Sequence, residues 1–375
     1  MARVISRQTS YDYARLKPTL FDMMDALGGD RILPGMRVLL KPNLLAPATP
    51  DRAILTHPNV VRAAAEYVLG KGALVQISDS PATGGFEKVL NESGIRSALE
   101  GLDVTFREFK ASSAIRIHEP YNMMEIAEDA LNADMIVNLP KLKTHCQMML
   151  TLGVKNLFGC VVGFRKPEWH MKTGVARDAF AGILVEIYNA LRPSITILDG
   201  ILAMEGQGPG KSGTPREVGL LMGSDDAMAL DAAVCGILGV APDTLPTIRA
   251  AKGMGILEGS VELEGVFPRI PDFNIPGMKP VLFGPPMLHG LLRKYLTQRP
   301  VPLDGACRLC GECRRYCPAK AISSEGKKIL FDYDKCIRCY CCVEICPHAA
   351  LRVDPPAAGK LLADIIRRAF GISLD

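Results

Sequence analysis

The chain is poor in aromatic side chains, 6% with a single tryptophan, and it contains no run of about 18 apolar residues of the kind that spans a bilayer. Its first residues, MARVISRQTSYDYARLKPTLFDMM, have no continuous apolar stretch to mark a secretory signal, so a cytoplasmic protein without a transmembrane segment is expected. There is no block of lysine and arginine and no basic helix interleaved with aromatics. With 44 basic residues against 40 acidic ones the net charge is +4, and nucleic acid is not an expected partner. Two fingerprints are also missing. No strand is followed by GxGxxG, a helix and a downstream acid, which argues against a standard flavin or nicotinamide site. No HExxH or similarly short spacing supports a separate metal in the first part of the chain. What remains, 48% hydrophobic and 22% charged residues over 375 positions, is the composition of a globular protein with a sizeable core and at least two domains.

Cysteine is the exception to this sparseness. Nine of the twelve cysteines lie between Cys307 and Cys346, and in a long chain without a signal peptide such crowding points to metal rather than to disulfides. Two segments repeat each other, CRLCGECRRYCPAKAI from Cys307 and CIRCYCCVEICPHAAL from Cys336, each reading Cys-x2-Cys-x2-Cys-x3-Cys-Pro. In this spacing three thiolates hold one iron-sulfur cube and the fourth, followed by proline, crosses to the other. Cys307, Cys310, Cys313 and Cys346 are therefore expected on one [4Fe-4S] cluster, and Cys336, Cys339, Cys342 and Cys317 on a second. A pair of zinc knuckles would need neither the Cys-Pro crossover nor the duplication. The segment resembles a bacterial two-cluster ferredoxin domain. Cys341, squeezed between ligands, reads as a bystander, with a spare ligand or a redox-active thiol as alternatives. Arg308, Arg314, Arg315, Lys327, Lys328 and Arg338 form a basic face that keeps the domain solvated or docks an acidic electron donor, soluble and of ferredoxin or flavodoxin type.

Upstream, strand-like and helix-like segments alternate. MRVLLKPNLL, ALVQISDS, ADMIVNLPK, SITILDG and EVGLLMGS read as short apolar strands, and HPNVVRAAAEYVLGKG, GVARDAFAGILVEIYNALR and DAMALDAAVCGILG as helices. The expected architecture is α/β, a mostly parallel sheet flanked by helices over residues 1–272. A linker with an amphipathic helix follows over 273–299, a small α+β two-cluster ferredoxin domain over 300–354, and an amphipathic C-terminal helix over 355–375. The apolar stripes of MLHGLLRKYL and GKLLADIIRRAFGI are expected to pack on the protein itself rather than on a membrane.

In open α/β sheets ligands gather beyond the carboxyl ends of the strands. Lys41 and Asn43 stand there, as do Asp79 and Ser80, and Asp199 followed by Glu205. NLPKLKTH adds Lys141, Lys143 and His145 on alternate positions. Alternate residues of an extended segment share a face, so two ammonium groups and an imidazole are expected to converge in one pocket. Like charges so placed require an anion or carboxylates among them. An edge strand guarded by lysines is the alternative.

KPNL (Lys41 to Leu44), THPNVV (Thr56 to Val61), SDSP (Ser78 to Pro81), NLPKLKTH, LGVKNLFG (Leu152 to Gly159) and AMEGQGPGKSG (Ala203 to Gly213) resemble the family catalogued as domain of unknown function 362. The resemblance covers about residues 36–240, and that family often carries a C-terminal two-cluster ferredoxin module. It implies redox chemistry through the clusters and no particular substrate.

Other signals are weaker. EGQGPGKSG is not a Walker A loop, because Glu205 stands where the first glycine is required and no helix pattern follows Ser212. Its glycines suit a turn that could hold an anion near Lys211, or a plain surface loop. His57, His145 and His170 with Asp199 and Glu205 have donor types that suit iron or zinc, without a supporting spacing. His170 in KPEWHMKTG is expected on a loop forming a lid, next to Trp169, which otherwise covers core. Cys146, Cys160 and Cys235 read as inert buried thiols, and Asp225 as a helix N-cap.

Together these features suggest an iron-sulfur oxidoreductase in which two [4Fe-4S] clusters pass single electrons to a small anionic, carboxylate- or phosphate-bearing substrate. Lys41, Lys141, Lys143 and Lys155 would hold the anion. His145, or failing that His170, would supply a proton near neutral pH. Asn43, Asn156 and Glu205 would orient substrate or lysines, with His57, Asp79, Ser80 and Asp199 completing the pocket. The other reading is an electron-transfer or accessory protein whose α/β domain docks a partner or regulatory ligand without catalysis. A homo-oligomer is compatible with both.

Overall fold

The structure, a computed structural model, describes residues 1–256, 260–277 and 286–361. Its strands are β1 (Ala2–Gln8), β2 (Arg37–Pro42), β3 (Leu74–Ile77), β4 (Val104–Phe106), β5 (Ser112–Arg116), β6 (Met123–Ala127), β7 (Met135–Leu139), β8 (Lys141–His145), β9 (Met149–Thr151), β10 (Ile195–Gly206), β11 (Gly213–Ser224) and β12 (Val261–Gly265). Ten of them form one sheet in the order β12-β1-β11-β10-β7-β2-β3-β4, with β8 paired to β10 and carrying β9, while β5 and β6 make a separate hairpin. The run from β10 through β7, β2 and β3 to β4 is parallel. β11 is antiparallel to both β1 and β10, so the sheet is mixed but mostly parallel, as the alternating pattern predicts.

Pleating divides each apolar run between two cores. Val38 and Leu40 pack with Leu16, Leu20 and Val60 from helices Tyr13–Ala26 and Pro58–Gly70. Leu39, between them, packs on the opposite face with Phe180, Leu184 and Leu230 from helices Arg177–Leu191 and Ala227–Ile237. Helices on both faces are what a continuous hydrophobic strand such as RVLLKP demands. Helix Ala227–Ile237 is capped by Asp226, which accepts from the N–H groups of Met228 and Ala229 at 2.7 and 3.0 Å. The expected cap, Asp225, instead accepts from Arg3 N at 2.9 Å.

The C-terminal segment is small and of α+β character. β13 (Arg299–Pro302) pairs with β16 (Leu351–Asp354), β14 (Ile322–Glu325) pairs with β15 (Lys328–Phe331), and short helices Glu312–Tyr316 and Cys341–Glu344 follow the two cysteine loops. It docks at the carboxyl ends of the large sheet. Cys146 shares a buried cluster with Ile322, Tyr340, Cys342 and Val343, and Ala82 packs on Tyr316 and Ile345. The EGQGPGKSG loop is the seam between the lobes. Gln207 Oε1 accepts from Val353 N at 2.8 Å, and Ser212 Oγ donates to Leu351 O at 3.0 Å. Gly208 and Gly210 are explained by close approach to the main chain of Thr144 and Glu344, and Gly206 by its positive φ of 74°.

The amphipathic stretch near residue 290 forms helix His289–Tyr295, but its apolar side chains do not pack as expected. Met287, Leu288, Leu291 and Tyr295 are exposed among the described residues. The expected C-terminal helix is helical over 357–361, and 362–375 lie outside the described residues, as do 278–285 of the expected linker. No helix of the described residues is long and apolar enough to cross a membrane.

A Cβ at Gly210 would lie 2.1 Å from the carbonyl oxygen of Glu344, backbone against backbone. Gly210→Ala is therefore expected to loosen the seam at a cost of about 1–3 kcal/mol. Faster hydrogen exchange confined to 203–213 and 336–354, measured by mass spectrometry, would show it.

Candidate functional site

The seam closes over a cavity of about 60 Å³, enough for a few waters or a head group of similar size. The large lobe lines it with Lys41, Asn43, Asp79, Ser80, Lys143, His145, Lys155, Asn156, Lys166 and His170; the C-terminal segment adds Tyr316, Cys341 and Glu344. All five residues of β8 are buried, which removes the alternative of an exposed edge strand guarded by lysines. Four lysines thus face two carboxylates, Asp79 and Glu344.

The polar groups are held from behind. Lys41 Nζ donates to Asp79 Oδ2 at 3.0 Å and to Pro42 O at 2.9 Å, and Asp79 also accepts from the N–H groups of Leu44 and Ser80. Only glycine fits beside this pair, because a Cβ at Gly159 would come within 2.1 Å of Asp79 Oδ1 and 2.5 Å of Lys41 Nζ. This is the use of the last glycine in LGVKNLFG. Lys143 Nζ donates to Asn43 Oδ1 at 2.9 Å and to Ile54 O at 2.7 Å. Asn43 Nδ2 donates in turn to Asn156 Oδ1, and Asn156 Nδ2 to Asn138 Oδ1, both at 2.8 Å. Lys166 donates to Ser80 O at 2.7 Å.

Burial is the main force on the titration of these groups. It brings the Lys143 ammonium down to about 7, against the nearby Glu344, which favours the charge. Burial likewise lowers Lys155, and Lys166 to about 8. Lys155 makes no hydrogen bond among the described residues; its ammonium lies 4.9 Å from the centre of the Phe158 ring.

His145 is not the titrating acid expected from its type. Its Nδ1 accepts from the N–H groups of Gln147 and Met148 at 3.1 and 3.3 Å, which places the ring proton on Nε2. That nitrogen has no hydrogen-bond partner and lies 3.7 Å from the Glu344 carboxylate. Burial, reinforced by Lys155, His170 and Lys143, holds the pKa well below 6.5, so His145 is a neutral donor aimed into the cavity. His170 is also neutral, brought by burial to about 3, with its ring stacked on Phe180 at 4.2 Å and Nδ1 without a partner. It stands on a helix, Arg165–Thr173, rather than on the expected loop, and Trp169 is buried against Tyr121.

Four candidates do not reach the cavity. Lys141 Nζ donates to Asp199 Oδ2 and to Tyr11 OH, both at 2.8 Å, and Tyr11 OH donates to Asp199 Oδ1 at 2.7 Å. His57 donates its backbone N–H to Asp199 Oδ2 at 2.9 Å, stacks on Tyr11 at 3.6 Å, and caps helix Pro58–Gly70. Lys141, Asp199 and His57 therefore form a separate buried knot. Lys141 and Lys143 both turn away from Leu142, which packs in the opposite core, but Lys141 is captured by Asp199, its neighbour across β10, and by Tyr11, whereas Lys143 reaches Asn43 and Ile54 O at the cavity wall. Glu205 pairs with Arg216 at 2.8 Å and accepts from Asn274 N. Conversely, sequence reasoning missed Lys166, Tyr316 and Glu344 as lining residues and Tyr11 as the centre of the knot. Nothing local distinguishes Tyr11, and Glu344 is hidden inside the cysteine repeat.

The cysteines separate into two cavities. One is lined by Cys307, Cys310, Cys313 and Cys346, the other by Cys317, Cys336, Cys339, Cys342 and also Cys341. Among the described residues no three such side chains converge on a point that a single ion could occupy. Each cavity gathers three cysteines of one motif with the fourth of the other, the crossed grouping that the Cys-x2-Cys-x2-Cys-x3-Cys-Pro spacing requires of iron-sulfur cubes. Backbone N–H groups of Ala350 and Ala321 reach Cys346 Sγ and Cys317 Sγ at 3.3 Å, as thiolate ligands require. Burial pushes the thiols of Cys146, Cys160 and Cys235 up to about 12, which keeps them unreactive.

The family described as Domain of unknown function (DUF362) matches residues 38–236, and a 4Fe-4S dicluster domain matches 300–347. A thylakoid-associated protein of Synechocystis sp. is 42% identical over 259 residues, 68% of this chain and 80% of that protein. Pyruvate synthase subunit PorD of Thermotoga maritima is 36% identical over 72 residues, 18% of this chain and 73% of the subunit. Lactate racemase apoprotein from Thermoanaerobacterium thermosaccharolyticum superposes with a TM-score of 0.39 at 13% identity, over 60% of this chain and 54% of the racemase, too distant to carry an argument. The C-terminal module is thus a 4Fe-4S ferredoxin domain of the electron-transfer type.

Lys141→Met would leave Asp199 charged and buried with three of its four hydrogen-bond donors but without its cation. The expected loss is about 3–5 kcal/mol, measured by urea unfolding, with the iron-sulfur absorbance of the folded protein unchanged because Lys141 lines neither cysteine cavity.

Proposed function

We propose that this chain, which belongs to the family described as Domain of unknown function (DUF362), is an iron-sulfur reductase of a small anionic substrate bearing a carboxylate or phosphate. The observation that carries this reading is the chamber whose walls come from both lobes and which is lined by His145 and His170, whose Nε2 and Nδ1 are buried without a hydrogen-bond partner among the described residues, and by Lys155, whose ammonium lies over the Phe158 ring. Two [4Fe-4S] clusters, on Cys307, Cys310, Cys313 and Cys346 and on Cys336, Cys339, Cys342 and Cys317, would supply single electrons when bound. The lobes are taken to divide over 273–299, and the cytoplasm is the proposed location.

Each chamber residue then has a task. Lys155, uncommitted, seats the anion. Lys41 is satisfied by Asp79 and shapes the floor. Lys143, near 7, is matched to proton donation at neutral pH. His145 offers a neutral N–H to an oxygen on which charge develops, a role that an imidazole with occupied Nδ1 performs without changing protonation. Outside Glu344 lies an open groove of about 520 Å³ between the lobes, lined in part by Thr83, Gly84, Lys88, Lys211 and Arg315, wide enough for the remainder of a substrate whose head enters the chamber. Exposed Arg308, Leu309, Cys310 and Arg314 rim the first cysteine cavity, a face suited to an acidic electron-donor protein. The docking reading fits less well, since a recognition surface would expose its lysines rather than enclose them.

Reduced protein, kept anaerobic, is expected to be reoxidised by a member of a panel of unsaturated carboxylic acids. Lys155→Ala and Lys143→Met should each slow this by roughly 10²-fold or more; unchanged rates would remove both residues from the chemistry. pH provides a separate check. The folded pKa of Lys143 lies below its ordinary 10.5, so its charge is present below about 7 and lost above it, with Glu344, Asp79, Lys155 and Lys141 as the charged groups around it. Binding of inorganic phosphate, followed by calorimetry, should therefore weaken as pH rises from 6 to 8.5 beyond what phosphate's own ionisation gives, and Lys143→Met should abolish the excess.

A further inference from the structure

One wall of the chamber is a short turn that has no cap of its own. Lys155 and Asn156 line the cavity from the turn Gly153–Asn156, which follows β9 with Leu152 at its cap position, a side chain that accepts no hydrogen bond. The first N–H groups of the turn are taken instead by Asp231, on helix Ala227–Ile237 and 78 positions from Gly153. Its Oδ1 accepts from Gly153 N at 2.7 Å and its Oδ2 from Val154 N at 3.2 Å. Asp231 is 1% exposed and does not itself line the chamber. Burial pushes its pKa up to about 8, and among the described residues these two amides are what favours its charge. The helix also presses on the turn, because a Cβ at Gly153 would come within 2.9 Å of Ala227 Cβ and 3.1 Å of Asp231 Oδ1. Asn156 is tied a second time through its side chain, to Asn43, Asn138 and the Lys41 carbonyl. Lys155 is not, since its ammonium makes no hydrogen bond among the described residues and lies over the Phe158 ring.

We propose that Asp231 is a positioning residue for the anion seat: it caps the turn Gly153–Asn156 from the side of helix Ala227–Ile237 and thereby holds the Lys155 ammonium at the chamber wall. The inference rests on the reading of Lys155 as the group that seats the anion. A long side chain with no acceptor at its tip is located by its backbone, so what fixes the turn fixes the lysine. Unpaired N–H groups at the start of a turn need an acceptor, and buried ones cannot find it in water. Asp231 meets that need for two of them at once, from an element that packs in the core below the site.

The test uses the full-length protein with its clusters reconstituted anaerobically, and inorganic phosphate as the probe. Asp231→Asn keeps the volume and one acceptor but turns a donor toward one of the two N–H groups. It is expected to weaken phosphate binding, read by calorimetry, by roughly fivefold or more, the scale of a lost cap. In the Lys155→Ala background the same change should cost nothing further, because Asp231 acts through Lys155. Losses that simply add would make its role a general structural one and overturn the proposal, as would wild-type affinity in Asp231→Asn. Should the asparagine variant fail to fold, Gly153→Ala, which forces the turn off Ala227 and Asp231, is expected to give the same non-additive loss. Hydrogen exchange, followed by mass spectrometry, separates this inference from the reading beneath it. Asp231→Asn should speed exchange in residues 152–156, and unchanged exchange there would overturn the anchoring whatever phosphate does. Phosphate binding that survives Lys155→Ala would instead remove the seat itself, and with it the positioning role of Asp231.

Discussion

The close apposition of the C-terminal module to the carboxyl ends of the sheet is the contact on which the candidate site depends. Without it, Lys143, His145 and Lys155 would end in an open crevice, hydrated and weakly perturbed. With it, Tyr316, Cys341 and Glu344 wall the crevice, and burial becomes the largest influence on each titrating group. The seam is made by main chain as much as by side chains, through glycines that allow the EGQGPGKSG loop to lie against Glu344 and through hydrogen bonds to β16. A loop that imitates a phosphate cradle in its composition is in fact the joint between the two lobes.

Enclosure makes charge balance the second constraint. Lys41 and Lys141 each lie against a buried carboxylate and are thereby committed to structure. Lys143 is tied to two neutral acceptors and only approached by Glu344, which leaves it poised rather than fixed. Lys155 has no acceptor among the described residues. Residues of one type, close together in one short stretch of fold, thus separate into scaffold and machinery according to whether an anion already faces them.

The fold was legible to a large extent. Apolar runs ending in polar residues marked β2, β3, β7 and β10, and helix periodicity marked the layers on both faces, because sheet and helix periods are local properties of the chain. Less visible were the features set by distant contacts. NLPKLKTH was expected to send three side chains to one pocket, and a buried carboxylate on the neighbouring strand, Asp199, took one of them, Lys141, into a separate knot. Asp199, His57 and Glu205 have the chemistry of site residues and serve as partners, a cap and a surface pair. The exposed apolar side chains around helix His289–Tyr295 show the same limit, since amphipathicity states that a face exists and not what covers it.

The sequence by itself determined that this chain carries a 4Fe-4S module, because thiolate spacing on a tight loop is a local requirement of the cube, and that an α/β sheet precedes it. It also placed Lys41, Asn43, Asp79, Lys143, His145, Lys155 and Asn156 near strand or helix ends. Only the tertiary structure decided which of them share an enclosed space, that His145 is neutral with its proton on Nε2, and that Glu344 and Cys341 belong to the chamber. Protonation and proximity are set by residues up to about 200 positions away, through desolvation and contacts that the sequence pattern does not contain.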